Sequence, residues 1–208
     1  MLIELYGLPG SGKTTLAKII AKEKGYKIIK IRSKRELFFY NLIFLFKYPY
    51  KFFVQLFYLI SNSNNLKIFY FKLMNTFLDY NAKYQKAKKY KNAILDQGYF
   101  LNAFALFDSA VSKEKMKKYL SCLLKPDLLV ILDIPFSLSL ERAKNRGYFA
   151  REDFDDDYKN KWQKAIEGNN KIFLNIIDKS MVNYVEIDGC ESGNKFCQEL
   201  LKKIQDRY

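Results

Sequence analysis

Histidine is absent from the 208 residues. No metal site, general base or pH switch can therefore rest on imidazole, and any proton acceptor must be a carboxylate. Cysteine is almost as scarce. Cys122, Cys190 and Cys197 form no C-x-x-C pair and leave an odd thiol, which argues against both a disulfide framework and a zinc site. Acidic residues are in deficit, 22 Asp and Glu against 36 Lys and Arg, giving a net charge of +14. Such a field attracts phosphates, nucleic acid or anionic membrane, although a lysine-rich solvated surface gives the same count. There is no Pro/Gly/Ser-rich linker, internal repeat or low-complexity tract, so residues 1–208 read as one domain with insertions. No secretory signal fits the start, where Met1 leads directly into an apolar strand, and a cytoplasmic location is expected.

What the sequence does contain begins at once. Between Leu2-Ile3-Glu4-Leu5-Tyr6 and the helix-like run from Leu16 lies Gly7-Leu8-Pro9-Gly10-Ser11-Gly12-Lys13-Thr14-Thr15, a match to G-x-x-x-x-G-K-[ST] in its strand–loop–helix setting. Glycines let successive N–H groups turn inward toward phosphate oxygens, and the helix N-terminus adds its positive dipole end. Pro9 stiffens the outer part of the loop without removing an inner donor. Lys13 is placed to reach the β- and γ-phosphates of ATP, and the Thr14 hydroxyl to ligate the bridging Mg²⁺; Thr15 is a neighbour of that ligand.

Further along, a strand is predicted over 26–31, with Arg32 and Arg35 at its carboxyl end, where doubly wound sheets bind ligands. These arginines are candidates for an anionic part of the acceptor. Residues 36–60 are intensely apolar and aromatic. Lys47, Pro49 and Lys51 interrupt them, so neither half can span a bilayer, and two helices meeting at Tyr48-Pro49-Tyr50 are expected. A basic, aromatic helix pair lying on a membrane surface is the alternative. A helix over 66–90 precedes a short strand, 92–95, that delivers Asp96 and Gln97. The apolar run Leu128–Ile134 reads as a central parallel strand, followed by a helix over 136–146, a helical run toward Ile177 with a break at Gly168, a last strand at 184–187 and a closing helix over 195–204.

The phosphate loop, the strand ending in Asp96, and Pro126-Asp127-Leu128 through Pro135 followed by Glu141-Arg142-Ala143-Lys144-Asn145-Arg146-Gly147 resemble the thymidylate kinase branch of the nucleoside and nucleotide monophosphate kinases. The likeness covers most of the chain in order, in these islands. It implies an α/β, three-layer P-loop NTPase fold with a five-stranded parallel sheet, a helical acceptor region at about residues 34–91 and an arginine-bearing lid at about 142–157. By the same resemblance Arg142, Arg146 and Arg151 close over the donor and neutralise the transferring phosphoryl group. Asp96 either orients an acceptor hydroxyl and takes its proton, or holds Mg²⁺ through water. Gln97 stands where thymidylate kinases usually carry an arginine for the acceptor's phosphate, so either Arg32 or Arg35 replaces that charge or the acceptor has no phosphate there.

The expected activity is thus ATP- and Mg²⁺-dependent transfer of a γ-phosphoryl group to a small-molecule acceptor, foremost a nucleoside or nucleotide. A sugar or other metabolite, a membrane-associated switch and a nucleic-acid end kinase are the other readings, the last ranked lowest; a homodimer is compatible with all of them.

Overall fold

An apolar strand that ends in glycine lies at the centre of the computed structural model, which describes residues 1–145 and 154–189. This strand, β1 (Leu2–Gly7), passes through the phosphate loop into α1 (Lys13–Lys24), which Gly25 closes in the left-handed conformation. The edge strand β2 (Lys27–Ile28) is shorter than the 26–31 span predicted. Its only neighbour among the described residues, β3 (Ala93–Leu95), is three residues long, so pairing stops soon after Ile29 has bonded to Ile94.

Between these edge elements comes the aromatic region. Ser33 caps α2 (Lys34–Lys47) through the Glu36 N–H, and Pro49 opens α3 (Pro49–Ser61), as a residue with a fixed φ and no N–H does well. The two axes differ by 115°, the change of direction falling at the predicted Tyr48–Tyr50 corner, and among the described residues no single helix is long and apolar enough to cross a membrane. Each helix buries one side and turns apolar residues outward: Phe38, Phe39, Leu42 and Phe46 on α2, and Tyr50, Phe53, Phe57 and Ile60 on α3, are all more than half exposed.

The predicted 66–90 helix is α4 (Leu66–Lys72), a π-helical turn (Leu73–Leu78) and α5 (Asp79–Ala87) in unbroken succession. In this stretch Asn75 Nδ2 donates to the Phe71 carbonyl at 3.0 Å and Thr76 Oγ1 to that of Lys72 at 2.6 Å, side-chain bonds that compete with the regular backbone ladder. After β3 a 3₁₀ turn (Tyr99–Leu101) and α6 (Asn102–Ala105) lead to α7 (Lys113–Ser121), β4 (Leu128–Asp133), α8 (Phe136–Lys144), α9 (Asp156–Ile176) and β5 (Tyr184–Asp188). The expected break at Gly168 does not occur. The buried Asn169 beside it accepts from Val111 N–H and donates to the Ser109 carbonyl, and these tertiary bonds outweigh the roughly 1 kcal/mol helix penalty of glycine. The helix expected over 195–204 lies outside the described residues, as do Cys190 and Cys197.

All strand pairs are parallel, in the order β2-β3-β1-β4-β5, so β1 sits in the middle of the sheet. Strand alternation then sorts its side chains. Ile3 and Leu5 join Leu16, Ala17 and Ile20 of α1 in one core, while Tyr6 faces the other, shared with α5, α6 and α9. Helices on both faces of a parallel sheet make the three-layer α/β fold expected from the sequence.

Candidate active site

The turn after β1 is shaped by two left-handed glycines, Gly10 (φ 81°) and Gly12 (φ 93°). At Gly10 a Cβ would stand 2.9 Å from the Ser139 carbonyl of α8, so the loop also lies too close to that helix for any side chain. Ser139 seals the contact by donating to the Pro9 carbonyl at 2.5 Å. No side chain caps α1, whose N-terminus follows directly from the loop, so an anion there would find unsatisfied N–H groups in its first turn. The Lys13 ammonium lies over the loop, 2.6 Å from the Gly7 carbonyl and 2.8 Å from that of Leu8; Thr14 and Thr15 are exposed beside it.

From this cradle a cavity of about 290 Å³ opens toward the helical region. On the loop side it is lined by Gly7, Pro9, Gly10, Gly12, Lys13 and Thr14. Its far wall is aromatic and neutral, built from Phe71, Asn75, Thr76, Tyr80, Gln97, Leu101, Phe104 and Trp162. The widened turn between α4 and α5 contributes Asn75 and Thr76, and the segment after β3 contributes Gln97. Lys13 is the only charged residue among those described as lining the space.

The sequence-derived candidates divide accordingly. Gly7, Pro9, Gly10, Gly12, Lys13, Thr14 and Gln97 come together around one cavity, whereas Leu8 and Ser11 are buried within the loop and Thr15 is exposed, all three outside the lining. Asp96 is half-buried at the end of β3, adjacent to Gln97 but outside the cavity lining. Arg32 and Arg35 are exposed and also outside it; the Arg32 backbone N–H caps the Glu36 carboxylate, which Lys86 holds at 2.5 Å. Arg142, on α8, donates to the Gly189 carbonyl at 3.0 Å, one turn from the Ser139 contact with the loop. Arg146 and Arg151 lie outside the described residues.

Two polar groups beneath the site had no motif to reveal them. Glu4, in the middle of an apolar strand, is fully buried, and its carboxylate accepts from Tyr84 OH at 2.5 Å and Phe100 N–H at 2.6 Å. Loss of hydration on burial pushes it from the ordinary 4.5 up to about 7, against the pull of these donors and of Lys83. A raised native-state value means that the folded chain holds a proton the unfolded chain has released. Glu4 therefore lowers stability as pH rises from about 4.5 through about 7. Urea midpoints across that window should fall with pH, and in Glu4→Gln the decline should shrink by at least half; an unchanged slope would assign it to other groups. The second group is Lys72, wholly buried, with Nζ 2.6 Å from Asp108 Oδ2, while Tyr158 OH donates to Asp108 Oδ1 at 2.9 Å.

Comparison with known proteins agrees with this architecture. Residues 3–41 match the profile of the ATPase family associated with various cellular activities. A probable thymidylate kinase 1 from Saccharolobus solfataricus is 23% identical over 98% of the chain and 96% of its own length, and a probable thymidylate kinase from Metallosphaera sedula is 27% identical over 98% and 92%. Among solved structures, a deoxyadenosine kinase from M. mycoides with bound dATP superposes with a TM-score of 0.60 at 15% identity, covering 99% of both chains. The same enzyme with dCMP and a flexible dCDP gives 0.53 at 20%, over 99% of this chain and all of the other. At these identities the solved structures establish the fold.

Proposed function

We propose that this P-loop kinase transfers the γ-phosphoryl group of ATP to a nucleoside or nucleotide, and that an uncharged nucleoside is the acceptor its cavity favours. One observation carries the reading: a single cavity joins the phosphate cradle to an aromatic wall whose polar groups, Gln97, Asn75, Thr76 and Tyr80, are all neutral. Flat rings are held well between aromatic faces, and amides present paired donors and acceptors to a base edge. A phosphate on the acceptor would need a cation, and Arg32 and Arg35 are too exposed to serve as that wall.

In this reading the loop N–H groups and Lys13 hold the donor's phosphates. Asp96, at the end of β3, orients the acceptor hydroxyl and receives its proton as the oxygen attacks the γ-phosphorus. Arg142, with Arg146 and Arg151, covers the transferring group. Thr14, joined by Asp96 through water in the alternative where Asp96 is not the base, would hold Mg²⁺, an ion that takes one or two protein oxygens and completes its shell with phosphates and water; when bound it would neutralise charge developing on those phosphates. The exposed Thr14 hydroxyl beside the Lys13 ammonium is compatible with such a shared site, and among the described residues no cluster of three or more acidic or thiol ligands competes for the ion.

Trp162, the only tryptophan in the chain, lines the cavity and supplies an intrinsic probe. Nucleosides should alter its fluorescence saturably and should be phosphorylated in the presence of ATP and Mg²⁺, with nucleoside monophosphates at least tenfold poorer. Asp96→Asn should retain the fluorescence response while transfer falls about 10²–10⁴-fold. Failure of every nucleoside and nucleotide to accept phosphate from ATP would overturn the assignment. Preferred use of monophosphates would move the acceptor assignment to the nucleotide.

A further inference from the structure

The strand that delivers the phosphate loop also touches two of the elements that line the cavity. Tyr6 stacks on Phe173 of α9, 4.0 Å between ring centroids, and donates its hydroxyl to Asn170 Oδ1 at 2.7 Å; the same helix carries Trp162 into the cavity. Glu4, two residues earlier and on the same face of β1, reaches the turn after β3. Its Oε1 receives the Phe100 N–H and its Oε2 the Tyr84 hydroxyl. Directly above it stands Gly98, where a Cβ would come within 2.6 Å of the Glu4 carboxyl carbon, so the turn rests on the carboxylate without an intervening side chain. The Tyr99 ring packs against Tyr84 at 4.3 Å, and its hydroxyl bonds to Asn81 Oδ1, also on α5. Three separate attachments thus fix residues 98–100. Gln97, immediately before them, and Leu101 and Phe104, immediately after, line the cavity.

We infer that Glu4 is a positioning residue for the acceptor: by clamping the turn at residues 98–100 onto β1, it sets the place of Gln97 and the adjoining wall relative to the phosphate loop. A carboxylate suits this role because both converging groups are donors, and its two oxygens accept one each. Glutamine keeps an acceptor for one of them and offers the other an N–H₂, so the clamp is weakened without emptying the core. Leucine would strand the buried Phe100 N–H. The inference rests on the acceptor reading above only in naming what the wall holds; the clamp itself is a property of the turn.

The experiment separates the two. Hydrogen exchange at residues 98–101 reports the clamp, since local opening sets exchange of a bonded amide. Nucleoside titration of Trp162 reports the acceptor, and ADP affinity the donor. In Glu4→Gln, exchange at Phe100 should accelerate at least tenfold while β4 amides are unchanged, and nucleoside Kd should rise about tenfold with ADP Kd within twofold of wild type. Tyr84→Phe, which removes the donor to Oε2 and leaves both Glu4 oxygens in place, should move both readouts in the same direction but less. Unchanged exchange at Phe100 in Glu4→Gln overturns the inference. So does an equal loss of ADP and nucleoside affinity, which would mark a general loss of structure. Should no nucleoside perturb Trp162 in the wild-type protein, the acceptor reading fails, and faster exchange confined to the turn would still establish the clamp.

Discussion

Lys13→Ala is expected to reduce ATP-dependent phosphoryl transfer by about 10³-fold or more while leaving the melting temperature within a few degrees. The ammonium now bonded to the Gly7 and Leu8 carbonyls is the one cation described at the mouth of the cradle. Phosphate oxygens exceed amide carbonyls as partners for it, so a bound nucleotide would redirect it. In the transition state, charge spreads over the transferred group, and a missing point charge there has no substitute among the described lining residues. Lys13→Arg should not rescue, because a planar, longer guanidinium does not fit a loop built by close glycine contacts. Single-turnover rates with saturating ATP and the best acceptor measure the effect. A wild-type rate in the alanine variant would remove the loop from the mechanism.

Lys72→Met should produce the largest loss of stability, about 3–5 kcal/mol, read as a fall in melting temperature of about 10 °C or more. No part of Lys72 is exposed, and Asp108 is almost as deeply placed. Removing the ammonium takes from the buried Asp108 carboxylate its 2.6 Å cationic partner, while the Tyr158 hydroxyl continues to donate to it. The Asn62 carbonyl, which Lys72 also binds at 2.5 Å, loses its donor in the same step. The pair ties α4 to the segment after α6 and, through Tyr158, to α9; of these, α4 and α9 line the cavity, with Phe71 and Trp162. Lys72→Met combined with Asp108→Leu should recover much of the loss, because no isolated charge is left behind. A drop below 1 kcal/mol in the single variant would show that the carboxylate is served by other groups.

How far the sequence exposes these features depends on how local their causes are. The phosphate loop is legible because its function dictates both residue types and spacing within nine consecutive positions. Strand β4 is legible because burial on both faces demands an unbroken apolar run. The α2–α3 corner follows from Pro49 and its flanking lysines. By contrast, Arg32 and Arg35 look well placed by strand order alone, yet β2 is cut short by its three-residue neighbour and the arginines end in solvent. Gly168 resembles a helix break until the Asn169 bonds to a distant loop are seen. The neutral wall of the cavity assembles residues from three separated stretches, 71–80, 97–104 and 162, and no pattern in any one of them announces it. Glu4 did leave a trace, a single acid inside an apolar strand, whose meaning lies in Tyr84 and Phe100, 80 and 96 positions away.

The π-helical turn that presents Asn75 and Thr76 to the cavity also has a genealogical side. A π turn holds one more residue than the α turn it interrupts, so it is the imprint that a single-codon insertion leaves in a helix able to keep its ends in place. Deleting one residue within 73–78 would let α4 and α5 merge into a regular helix with both ends still in register. The side chains in the repaired turn would rotate by about 100° relative to their present direction. Stability could then be retained while the acceptor preference changes. One residue gained or lost here would therefore turn Asn75 and Thr76 relative to the cavity while the rest of the helix keeps its register.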